Sequence, residues 1–155
     1  MENIDHPIAL AHEGILKLKE TIGENKRRAK GFHAITWLAE ELDQLKGTEC
    51  EVQCGIAHGA FARGSKTFQQ IDLLLVLEGN IAEDIAMDAI VEEIISKIYM
   101  EVRIFLYLNV WNPETLELAL AHPTPLTMRI QKEGIVFYGH NVLLNQGKGN
   151  VSRAH

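Results

Sequence analysis

The sequence is poor in cysteine, lacks any long apolar run and carries no excess of positive charge. Each shortage closes off a class of protein. Two cysteines, Cys50 and Cys54, are too few for a disulfide framework. They stand four apart in a stretch that reads as a strand, which would hold them roughly 13 Å from each other, beyond the reach of a disulfide. Free thiols suit a reducing compartment, so a cytoplasmic protein is expected. No apolar run approaches the ~20 residues that cross a bilayer. The first residues show no basic region ahead of an apolar core, so no secretory signal is expected. A net charge of −6 opposes a non-specific grip on nucleic-acid phosphates, although binding one nucleotide needs only a local field. The seven histidines show no metal-ligand spacing.

What is present is an ordinary globular composition, 46% apolar and 23% charged over 155 residues, enough for one domain with its own core. Residues 1–47 read as a helical hairpin. Ile8, Ala11, Ile15, Leu18 and Ile22 recur at helical spacing, then Phe32, Ile35, Leu38, Leu42 and Leu45, with Gly23 and Gly47 as stops. The basic group Lys26, Arg27, Arg28 and Lys30 reads as a solvated helix end. From Cys50 the period changes to two, with Val52, Cys54 and Ile56 alternating as in a strand. A glycine-bearing turn and a second strand from Gln69 to Glu78 follow. The pattern then gives a helix over 81–100, a strand over 101–111, a short helix opened by Pro113, a turn bracketed by Pro123 and Pro125, and a further short helix over 126–133. A last strand over 135–138 and a loose tail from 140 to 155 complete it. A mixed sheet flanked by helices, an α/β (α+β) fold, is expected over 48–139. Trp37 and Trp111 read as core or interface anchors.

The chemistry concentrates in Gly59-Ala60-Phe61-Ala62-Arg63-Gly64-Ser65-Lys66-Thr67-Phe68-Gln69-Gln70-Ile71-Asp72. Backbone N–H groups in a glycine turn leading into a helix can cradle a phosphate. Strand alternation places Gln70 and Asp72 on one face, where a pair of carboxylates would hold a divalent cation. Leu74 and Val76 share that face, so an apolar cover is expected there, with the helical hairpin as a candidate. His58, just before the turn, reads as a partly buried structural histidine.

With Gly59, Ala62, Arg63, Gly64, Asp72, Leu73 and Val76 in order and at about the expected spacing, the stretch resembles the signature of the minimal nucleotidyltransferases of the DNA polymerase β-like superfamily. The ending Thr124 to Gly139 resembles that family's closing helix and strand, so the likeness covers about residues 50–139. It implies a nucleotide-binding site at Gly59, Ala60, Arg63, Gly64 and Ser65, with ATP or another NTP as ligand. It also implies metal ligands at Gln70 and Asp72, with Mg²⁺ bound if the protein is active. Two departures fall on that chemistry: the motif serine is Ala60 and the first metal aspartate is Gln70. The third carboxylate position falls on the strand after the long helix. There, either Glu101 assists Asp72 in catalysis, or Arg103 occupies the metal's place and forms an ion pair with Asp72. The resemblance thus implies a nucleotidyltransferase fold with impaired catalysis, acting as a nucleotide-binding or protein-interaction module. The alternative is an active Mg²⁺-dependent transferase moving NMP from NTP to a hydroxyl on protein, RNA or a small molecule. The helical hairpin would serve self-association or a helical protein partner.

Overall fold

The computed structural model describes residues 12–143. Residues 12–20 form helix α1, and Lys26–Asp43 form α2, opened by Asn25, whose side-chain oxygen accepts the Arg28 N–H. Strand β1, Val52–His58, runs straight into a single helical turn, α3 (Gly59–Ala62). Strand β2, Gln70–Leu77, returns antiparallel to β1, with His58 beside Asp72. A long helix then climbs back over the sheet as α4 (Glu83–Ile90), a π turn (Val91–Ile95) and α5 (Ser96–Val102). Strand β3, Phe105–Trp111, lies parallel to β2. Helices α6 (Pro113–Ala121) and α7 (Pro125–Glu133) lead to β4, Ile135–Gly139, which pairs antiparallel with β1. The sheet order is β3-β2-β1-β4. This is the mixed, helix-flanked α+β sheet expected.

The π turn has a packing reason. Ala86, Ile90, Ile94, Ile98 and Val102 are buried at a spacing of four. In a pure α-helix such a stripe drifts by roughly 40° per step. The wider turn takes up an extra residue and sets the stripe back onto the sheet.

The two faces of the sheet bury separate cores. Ile71, Leu73, Leu75 and Leu77 of β2 join Leu106, Leu108 and Val110 of β3 beneath α1, α2 and the long helix. Leu74 and Val76, with Cys54 and Ile56, pack instead against Leu116 of α6, Ile130 of α7 and the pair Val142 and Leu143. The hairpin therefore covers the face opposite Asp72, a correction to the sequence-based expectation. The face that Asp72 shares is covered by the chain's last third. Val142 and Leu143, within the stretch read as a loose tail, are buried; residues 144–155 lie outside the described residues, as do 1–11. The hairpin's apolar stripe, Ala34, Ile35, Leu38 and Leu42, is fully buried within its own chain. Among the described residues no helix is long and apolar enough to cross a membrane.

Candidate functional site

The turn after β1 is held by a contact that only glycine permits. Gly59 has φ +76, and a Cβ there would stand 2.4 Å from Oδ2 of Asp72. The Asp72 carboxylate thus lies against the backbone at the mouth of α3. His58, its cross-strand neighbour, is 7% exposed, and its Nε2 is buried without a hydrogen-bond partner among the described residues. Burial pushes the His58 pKa down; the Asp72 carboxylate pulls it up and the Arg129 guanidinium of α7 pushes it down again. The imidazole is neutral near pH 7, in keeping with the structural role read from the sequence.

The donor set around Asp72 decides what the site can hold. Nε2 of Gln70 donates to Asp72 Oδ1 at 2.8 Å. The amide must point this way round, because its oxygen would otherwise meet an acceptor-only carboxylate. On the adjoining strand Gln70 faces Phe105 and Asp72 faces Tyr107, both about half exposed. No third His, Cys, Asp or Glu gathers near them among the described residues. Mg²⁺ is held by several hard oxygens, usually carboxylates and phosphates in an octahedron. One carboxylate, already engaged by an amide N–H and flanked by aromatic rings, does not fit that ion.

Neither proposed third residue reaches the site, which corrects both options. The long helix continues through Glu101 and Val102, so Glu101 is an exposed helix residue. Arg103 is that helix's left-handed cap, φ 64, with its guanidinium 5.9 Å from the Tyr99 ring centre. No ion pair joins it to Asp72 among the described residues. Strand β3 starts two residues later, and the register brings Phe105 and Tyr107, not Glu101 and Arg103, beside the β2 site.

The remaining predicted residues divide. Gly59 and Ala60 lie at the start of α3, beside Asp72. Arg63 is exposed and pairs with Glu133 of α7 at 3.3 Å, bracing the turn. Gly64 and Ser65 belong to a loop pinned from the other side, where the Ser65 carbonyl accepts from Arg28. No family model matches the chain, and no curated protein matches its sequence.

That pinning group went unseen in the sequence. Arg28, read as part of a solvated helix end, is completely buried. Its guanidinium donates to the carbonyls of Thr21, Phe61 and Ser65 and to the Thr21 hydroxyl, and lies 4.3 Å from the centre of the Phe61 ring. Burial lowers its pKa, but an arginine with four acceptors stays charged. Arg27 beside it donates to the carbonyls of Phe68 and Gln69 and stacks over the Phe68 ring. Close approach is possible because Gly31 leaves room: a Cβ there would stand 2.6 Å from the Phe61 ring. One signal was available. Three cations in the first turn of α2 oppose the helix dipole, so they need a partner elsewhere.

Proposed function

We propose that the chain is a nucleotidyltransferase-like scaffold that works as a protein-interaction module and not as a metal-dependent transferase. The observation that carries this reading is the Gln70–Asp72 contact at 2.8 Å, with Phe105 and Tyr107 where further ligands would be needed. Two-metal transfer needs carboxylates that hold two cations about 4 Å apart, and among the described residues Asp72 has no second carboxylate gathered with it into a metal site. Without a cation, Asp72 repels a phosphate instead of binding it. What the half-open face offers is an acceptor, Asp72, beside two exposed aromatic rings. That combination suits a protein segment bringing a hydrogen-bond donor and an apolar side chain. Two free cysteines, the buried Cys54 raised to about 12 by desolvation and therefore inert, agree with a cytoplasmic setting.

Calorimetric titration of ATP with Mg²⁺ and of ATP with EDTA tests the proposal. The expected result is no Mg²⁺-dependent binding. Metal-dependent ATP binding, or label transfer from a radiolabelled NTP to an acceptor, would establish the active transferase instead. Metal-free binding would mark a nucleotide-binding module. Gln70→Asp combined with Ala60→Ser should introduce metal-dependent affinity, and no change would count against the family likeness.

A further inference from the structure

Among the described residues, strand β3 forms one edge of the sheet, with β2 on one side and no strand on the other. Its seven residues, Phe105 to Trp111, include no charge, proline or glycine, and its register with β2 is unbroken by a bulge. Among the described residues no hydrogen bond reaches the outward N–H and C=O groups of this strand. Natural edges are guarded by charges, prolines, bulges or a covering element, because an open flat edge recruits another strand. None of those guards is present among the described residues.

The two ends of the edge carry opposite charge. At the start of β3 stands Arg103, exposed and without an ion pair among the described residues. At the other end a groove of about 450 Å³ opens between α4 and α6 beside Asn109 and Trp111, lined by Glu83, Asp84 and Asp88. None of these three acids pairs with a lysine or arginine among the described residues. A strand laid antiparallel to β3 brings its own starting end to that groove, and the starting end of β3 itself carries the complementary charge.

We infer that β3 pairs antiparallel with β3 of a second copy about a twofold axis at Leu108, joining two four-stranded sheets into one of eight. Phe105 then faces the partner's Trp111, Tyr107 faces the partner's Asn109, and Arg103 arrives beside the partner's groove. The arrangement is self-complementary and closed, as a twofold dimer requires. Aromatic cross-strand pairs and continued backbone pairing supply cohesion. The contact runs along the strand's edge and draws Phe105 and Tyr107 into cross-strand pairs, while Asp72 stays one strand inward; its test, the oligomeric state, is separate from the nucleotide titration above.

Sedimentation velocity on the full chain over a range of concentrations tests it. The expected species has twice the chain mass and dissociates more readily as salt screens the paired charges. Arg103→Glu, an exposed change, should weaken the dimer about tenfold, as should Asp84→Arg with Asp88→Arg. Combining all three substitutions should restore the affinity, with circular dichroism confirming that each variant is folded. A chain that is monomeric at every concentration would overturn the inference. So would a dimer indifferent to both charge reversals, or a monomer that binds a lysine-rich peptide at this edge.

Discussion

Arg28→Met removes the guanidinium that joins α2 to the loop after β1 while keeping most of the side-chain stem. Three carbonyls, of Thr21, Phe61 and Ser65, lose a charged donor, and the Thr21 hydroxyl loses another. Each buried acceptor left without a partner costs about 1–3 kcal/mol. The stacking on Phe61, desolvated and at 4.3 Å, contributes about 1–2 kcal/mol more. Against this, the variant is spared the cost of burying a cation, several kcal/mol. The net loss should be about 3–4 kcal/mol, which lowers Tm by about 10 °C in a domain of this size. Urea and thermal unfolding followed by circular dichroism measure it, and hydrogen exchange locates it. Amides of 61–69 should lose protection ahead of those in β1 and β2. Arg28→Lys should recover only part of the loss, because one ammonium does not span acceptors on two segments. The exposed Arg27→Ala should stay within about 1 kcal/mol of the parent. If Arg28→Met costs less than about 1 kcal/mol, or leaves exchange in 61–69 unchanged, Arg28 does not pin the loop.

Two further outcomes follow from the site. Gly59→Ala meets both a positive φ and the Asp72 carboxylate, so it should cost about 2–4 kcal/mol by urea unfolding. In an Asp72→Ala background the same change should cost only the backbone part, about 1 kcal/mol, and equal costs in the two backgrounds would refute the contact. For His58 the folded pKa lies below the unfolded value of about 6.5, so between the two the unfolded chain holds more protons. Its contribution to stability is therefore full above about pH 6.5 and is lost as pH falls through the folded value. His58→Gln should flatten the decline in urea midpoint between neutral and mildly acid pH, and parallel profiles would refute it.

The sequence displayed most of the elements because their signals are local. Pro113 opens its helix behind the Asn112 cap, as its position suggests. The junction at Glu101–Arg103 was misread because Val102, Ile104 and Phe105 look like strand residues. The helix there ends on a left-handed arginine where a glycine would have announced the stop. Which helices cover which face was hidden because Leu73 to Leu77 are buried on both sides, so the strand shows no alternation to orient it. Arg28 escaped because two of its acceptors, the carbonyls of Phe61 and Ser65, come from residues more than 30 positions away. At the site, the glycine turn and Asp72 were legible. That β3 would offer Phe105 and Tyr107 depends on the parallel register, which no single segment encodes.

The division of the sheet into two cores sets an order in time as the chain leaves the ribosome. The first core draws mainly on residues up to Val110, with Phe137 as its late arrival. The second waits for Leu116, Ile130, Val142 and Leu143 to cover Cys54, Ile56, Leu74 and Val76. Until those last residues emerge, a sheet built on one side shows an apolar face on the other. A nascent chain stalled in that interval is in the state that a hydrophobic-binding chaperone recognises.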